Sequence, residues 1–244
     1  MCTVALLLGR FEEAPLVFAA NRDERLDRPA EGPALRPGSV NLVAPRDRLA
    51  GGTWWAVAPG GLVVAITNRF GVPVDPDRHS RGTLVDTVAR RGGFEPAVAF
   101  AASLRATDWN GFHLVVAQGD RAWVMVGDGA RTEAHDVSSG LLIVSERSFG
   151  AHETSRDDSV RVSIERQVEG DTGPDVTGLL QVLSGHGEGF EGPCIHAPAL
   201  GYGTRSSAII VPQGRWRRLL HTEGPPCVSP PADLTGLLDG LEAP

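Results

Sequence analysis

The chain has no lysine. All 23 basic side chains among its 244 residues are arginine, so a lysine Schiff base or lysine nucleophile is excluded. Acidic residues number 30, giving a formal net charge of −7. That balance argues against nucleic acid as a partner, because such binding draws much of its affinity from neutralised phosphates. Cysteine is scarce too. Cys2, Cys194 and Cys227 are too few for a disulfide framework, and the odd count leaves at least one thiol free. No apolar run reaches the roughly 18–20 residues of a membrane-spanning helix. The opening run "TVALLLG" lacks a preceding basic region and is too short for a signal peptide. A soluble, cytoplasmic protein without a membrane span is expected. Aromatics make up only 6% of the chain, whereas glycine (30) and proline (18) are plentiful. This composition favours strands and tight turns over a helical bundle. The 41% hydrophobic content suffices for a sizeable core. No repeat or long linker divides the chain, so residues 1–244 read as one domain.

Short β-rich runs dominate. Residues 3–8 and 16–20 read as a hairpin with a loop of about seven residues. Thr53–Ala58 and Leu62–Thr67 repeat the scheme across "PGG", where glycine tolerates positive φ. Residues 82–105 look helical with a break at "RRGGFEP", and Pro96 suits the first turn of the second helix. A hairpin across Gly119–Asp120 and the strand "GLLIVS" follow. Val160, Ile164 and Val168 fall at helical spacing within 154–168, and 174–184 is also helical in pattern. A last hairpin turns at "PQG", and "PPADLTGLLDGL" suits a short helix. Strands flanking a central helical block predict an α+β fold with largely antiparallel sheets.

The stretch "VFAANRDERLDRP" (17–29) packs charge onto the end of an apolar strand. If the first hairpin closes near Leu8 and Leu16, opposed residue numbers sum to about 24. Cys2 then lies across from Arg22, flanked by Asn21 and Asp23. Removal of Met1 before a small residue would leave Cys2 with a free α-amine. Its pKa of about 7.7–8.0, against about 8.5 for a thiol, suits a local base. Asp23 could hold that amine, and a neighbouring arginine would favour thiolate. The bland alternative is a solvated loop beside an incidental cysteine; the predicted adjacency is what lifts the cluster above it.

"MCTV", "AANRDE" at 19–24 with "RP" at 28–29, "GGTW" at 51–54, "TN" at 67–68, "SRG" at 80–82 and "YGTRSS" at 202–207 occur in series. In this the chain resembles the NRDE family, also called the transport and Golgi organisation protein 2 family, from residue 1 to about 212. That family is similar to N-terminal nucleophile (Ntn) hydrolases, including the cysteine acylases that cleave penicillin V and bile-salt amides. The resemblance implies a four-layer αββα sandwich of two largely antiparallel sheets. It implies catalytic roles for Cys2, Asp23, Asn68 and Arg205: nucleophile, amine anchor, oxyanion donor, and partner of Asp23 or of a substrate carboxylate. Asn21, Arg22, Trp54 and Ser206 would bind substrate. Asn68 reads equally well as a strand-ending turn residue, and Arg205 as an ordinary strand-face arginine. Where the acylases carry a first arginine this chain has Ala20. Ser145 and Glu146 stand where a second oxyanion asparagine would be expected.

No phosphate loop or HExxH motif is present. Cys194, His196 and Cys227 could ligate a metal, but their spacing matches no common zinc pattern, and no metal or cofactor is expected. The leading expectation is a cysteine hydrolase acting on a small amide or acyl compound. The alternative is a carrier of a small molecule such as haem or an acyl lipid, with Cys2 as ligand. Exposed strand edges leave a homodimer open.

Overall fold

The computed structural model describes residues 2–149, 155–167 and 173–241. Among the described residues, fourteen strands form two seven-stranded sheets in which every strand pair is antiparallel. The first sheet contains β1 (Cys2–Phe11), β2 (Ala14–Arg25), β10 (Gly140–Ser145), β12 (Tyr202–Val211), β13 (Arg218–Glu223) and β14 (Ala232–Asp233), in the order β10-β1-β2-β12-β13-β14. The short β11 (His196–Ala197) pairs with β12. The second sheet runs in chain order: β3 (Ala30–Arg36), β4 (Leu42–Asp47), β5 (Trp55–Ala58), β6 (Leu62–Asn68), β7 (Phe112–Gln118), β8 (Arg121–Gly127) and β9 (Thr132–Val137).

Side-chain alternation assigns the layers. Val4, Leu6, Leu8, Leu16, Phe18 and Ala20 of the first sheet meet Val57, Val63, Ala65, Val115 and Val124 of the second. On the opposite face, Ala5, Leu7, Val17, Ala19 and Ile209 are covered by α3 (Ser155–Gln167) and α4 (Val176–Leu183), through Val160, Ile164, Leu179 and Leu183. The outer face of the second sheet is covered by α1 (Arg81–Ala89) and α2 (Phe94–Ala102), through Leu84, Val85, Val88, Ala97 and Ala101. The result is an αββα sandwich. Central strands are buried on both faces, which is why they read as unbroken apolar runs in the sequence.

The β1–β2 register is the expected one: Cys2 opposes Arg22, Thr3 opposes Asn21, and Leu8 opposes Leu16. The seven-residue loop is not formed. The register shifts between Leu8 and Phe11, where Gly9 takes φ 63°, so both strands run on to a turn at Glu12–Glu13. Pro96 does fall in the first turn of α2, and the break between α1 and α2 lies at "RRGG". Strands β3 and β9 escape sequence patterning because they form the two edges of their sheet. Both are largely half-exposed or exposed, and β3 carries a proline, a residue that edges tolerate. Residues 154 and 168, the expected ends of a helical stretch, and the leading Met1 lie outside the described residues. No described helix is long and apolar enough to cross a membrane.

Candidate active site

At the ends of β1 and β2 the sandwich opens into a cleft of about 600 Å³. Its lining includes Cys2, Arg22, Asp23, Trp54, Asn68 and Arg81. The charge cluster of 21–28 is therefore cleft wall on one side and interior scaffold on the other. Alternation divides it: Arg22 stands on the inter-sheet side with Cys2, while Asn21 stands on the helix side.

Two glycine motifs shape the wall. Thr53 N donates to the Gly82 carbonyl at 3.1 Å, and a Cβ on Gly52 would fall 2.4 Å from the Gly82 carbonyl carbon. "GGTW" and "SRG" are thus the two halves of one close backbone contact, which sets Trp54 and Arg81 beside each other's segments. The Arg22 guanidinium carbon sits 4.2 Å from the centre of a Trp54 ring, a cation–π stack. Arg22 also lies 3.7 Å from Glu24. Arg28 forms a close pair with Asp47, at 2.6 Å, and Arg81 donates to the Gly111 carbonyl at 3.0 Å. Burial pulls both Arg22 and Arg81 below the ordinary guanidinium value, opposed in part by the Cys2 sulfur charge that each of them senses. Cations desolvated in this way gain from an anion entering the cleft.

Asp23 is fixed from two sides. Arg156 Nη2 donates to one carboxylate oxygen at 2.9 Å, and Thr204 Oγ1 donates to the other at 2.6 Å. Tyr202 Oη donates to the Asp23 carbonyl at 2.9 Å. The ion pair with Arg156 is almost wholly shielded, with side-chain exposures of 3% and 0%. Such a pair acts more as a positioning device than as a source of net stability, because desolvating both charges costs about as much as their attraction returns. The backbone N–H of Asp23 donates to the Cys2 sulfur. Burial pushes the Cys2 thiol above its ordinary value, and the Asp23 carboxylate pushes it the same way; Arg22 pulls it down by less. The neighbouring arginine favours thiolate, as expected, but burial outweighs it and the sulfur needs a base.

Other residues fall elsewhere. Arg205 sits where the β2–β12 register shifts between Thr204 and Ser206. It donates to the Leu26 carbonyl, and the arginine that grips Asp23 is Arg156. Asn21 donates through Nδ2 to the carbonyls of Leu183 and Pro193, each at 2.8 Å, so it ties β2 to the segments around α4. Ser206 is buried opposite Arg22. Among the described residues, Asn21, Arg205 and Ser206 are not part of the cleft lining. Asn68 is exposed at the end of β6 and lines the cleft. Behind it lies His113, held at about 4 mainly by burial. Its Nδ1 lies 3.0 Å from Thr67 Oγ1 and 3.3 Å from the Asn68 carbonyl, and its Nε2 lies 3.1 Å from the Ser148 carbonyl. Arg156, Thr204 and Arg81 were not read from the sequence. Arg156 lies in a charged helical stretch where one arginine looks like any other; "SRG" and "YGTRSS" were noticed, but not for Arg81 and Thr204.

Solved structures share this fold. A Caenorhabditis elegans N-acylethanolamine-hydrolyzing acid amidase (NAAA) ortholog matches 92% of the chain and all of its own, at 12% identity and a TM-score of 0.61. The C2A mutant of the conjugated bile acid hydrolase from Clostridium perfringens matches over 97% of this chain and 93% of its own, at 10% identity and a TM-score of 0.52. The class is an Ntn-hydrolase-like αββα sandwich. Residues 1–218 match the family model described as Transport and Golgi organisation 2, and the chain belongs to that family. The mouse Transport and Golgi organization 2 homolog is 29% identical over 105 residues. That stretch spans 42% of this chain and 38% of the mouse protein.

Proposed function

We propose that the protein is a cysteine hydrolase of the N-terminal nucleophile type, cleaving the C–N bond of a small amide or a related acyl bond. The observation that carries the reading is the placement of the Cys2 sulfur at the cleft, beside a carboxylate held on both oxygens. Two structural neighbours named for hydrolysis on the same fold support it.

In this reading Met1 is removed and the Cys2 α-amine takes the proton of the half-buried, neutral thiol. The sulfur then attacks the substrate carbonyl carbon. Negative charge on the carbonyl oxygen is met by the Asn68 amide and a backbone N–H, a donor set worth about 3–4 kcal/mol per preorganised group. The amine returns the proton to the leaving nitrogen, the C–N bond breaks, and a thioester remains on Cys2. Water, deprotonated by the same amine, hydrolyses the thioester, releases the acid and restores the thiol. Asp23, braced by Arg156 and Thr204, is the positioning residue for the amine. Arg22 and Arg81 give the cleft a cationic wall suited to a substrate with an anionic group.

The test is release of free amine from a panel of N-acyl amides with and without a carboxylate, followed by chromatography. Turnover that disappears in Cys2→Ala is expected. Turnover that persists in Cys2→Ala overturns the proposal. Saturable, reversible binding that survives the substitution without any turnover would mark a carrier instead.

A further inference from the structure

Away from the cleft, the chain brings together four side chains that the sequence scatters. His186 follows α4, Cys194 and His196 flank the entry to β11, and Cys227 lies in the turn after β13. One ligand atom from each lies within 4.8 Å of every other. The Cys194 sulfur is 3.5 Å from His196 Nε2 and 3.6 Å from the Cys227 sulfur; His196 Nε2 is 3.1 Å from the Cys227 sulfur. The rings of His186 and His196 meet edge to face, with centroids 5.1 Å apart.

The three separations among Cys194, His196 and Cys227 are close to the edges of a metal-centred tetrahedron, and His186 stands within 4.8 Å of each. Zinc binds thiolate sulfur at about 2.3 Å and imidazole nitrogen at about 2.0–2.1 Å, so its ligand atoms stand about 3.3–3.8 Å apart. We propose that His186, Cys194, His196 and Cys227 form a zinc site of the Cys2His2 type. Three of these ligands are candidates in the sequence, but separations of eight, two and thirty-one positions match no compact finger; three loops bring them together with His186.

Backbone packing serves this convergence. Cys194 N donates to the Gly185 carbonyl at 2.9 Å, closing the segment between them into a loop. Inside it Gly187 and Gly192 touch: a Cβ on Gly192 would lie 2.2 Å from Gly187 N. Only glycines permit that approach, and it folds His186 back over Cys194 and His196. Cys194 is buried, Cys227 is half-buried and both histidines are exposed, so an ion can enter from solvent. Four protein ligands fill a tetrahedral shell and leave no position for water or substrate, which makes the site structural.

The residues on either side of Cys194 tie this site to the cleft. The Pro193 carbonyl accepts from Asn21 Nδ2 at 2.8 Å. Ile195 N donates to Thr204 Oγ1 at 2.8 Å, and that hydroxyl donates to Asp23. A bound zinc would therefore fix the strand that orients Asp23. The zinc proposal stands whether or not the cleft is catalytic.

The test uses the full chain, purified without chelator and with thiols reduced. Elemental analysis should give one zinc per chain. Replacement by Co2+ should produce the intense visible bands of a tetrahedral site and a near-ultraviolet thiolate-to-cobalt band. Cys227→Ser and, on the exposed loop, His186→Asn should each weaken zinc binding by about 100-fold or more. Cys2→Ala should leave the metal content at one. Chelation should lower the melting temperature of the parent protein and leave that of Cys227→Ser unchanged. A reduced, reconstituted protein that binds no metal, or binds it equally well in both ligand variants, overturns the proposal. So does stoichiometric zinc that is lost with Cys2.

Discussion

Cys2 and the Cys194–Cys227 pair stand in opposite chemical settings. Cys2 is a lone sulfur beside a shielded carboxylate and two desolvated arginines, at the mouth of a cleft. Cys194 and Cys227 face each other at 3.6 Å with imidazoles alongside. The first setting holds one thiol neutral until a base arrives; the second gathers donors around one point. A cysteine count alone treats the three as equivalent. What separates them is the charge and donor type of the neighbours, and the two settings meet through the Ile195–Thr204–Asp23 hydrogen bonds and through the Pro193 carbonyl.

That contrast can be broken most strongly at the sulfurs. Cys2→Ala should lower amide turnover by about 10³-fold or more, measured as amine release, while bound zinc stays at one per chain. Cys227→Ser should do the reverse, losing zinc while retaining a Cys2 that reacts with a thiol electrophile.

The next largest effect falls on the link between the two regions. Asp23→Asn removes the charge opposite the buried Arg156 and should cost about 3–5 kcal/mol in denaturant unfolding. Amide turnover should fall with it, because the amine loses its anchor. The double change Asp23→Asn with Arg156→Met should recover part of the stability and none of the turnover.

Acid adds a contrast from a residue outside both cysteine sites, His113. His113 is held at about 4, below the ordinary 6.5. The unfolded chain therefore binds a proton in this window that the folded chain refuses. Stability from this group is complete above pH 6.5, falls as pH drops toward 4, and levels off below that. The loss is about 3 kcal/mol. His113→Asn should flatten that part of a stability–pH curve by a similar amount.

The smallest effect tests the cationic wall. Arg81→Gln should raise KM for a carboxylate-bearing amide about 10-fold, near 1.4 kcal/mol. Its kcat should change little, and an uncharged analogue should be nearly indifferent to the substitution.

The sequence carried the frame of this molecule unevenly. The β1–β2 register was readable to within a slip of one or two residues, because two apolar runs leave few ways to pair, although the turn between them is shorter than expected. The central strands and the break between α1 and α2 were readable for the same kind of reason: strong apolar pattern and glycine punctuation. Edge strands β3 and β9 were not, since half-exposed residues such as those of Thr132–Val137 carry no clear alternation. At the cleft, Cys2, Arg22, Trp54 and Asn68 were visible through local motifs. Arg156, which reaches Asp23 across 133 positions, was not, because nothing in a charged amphipathic helix marks the one arginine that turns inward. The Cys/His cluster was legible in part: Cys194, His196 and Cys227 stood out as metal candidates without a recognisable spacing, and His186 joins them through a loop whose path is decided by tertiary packing.

The central claim is that Cys2 is the reactive group of an N-terminal nucleophile. Intact-mass analysis of the full chain, before and after brief treatment with a thiol electrophile at neutral pH, tests it most directly. The account predicts protein lacking Met1 that takes up a single rapid label on Cys2, with the label absent in Cys2→Ala. Protein from its native host that retains Met1, or a Cys2 that labels no faster than a free thiol in the unfolded chain, would contradict it.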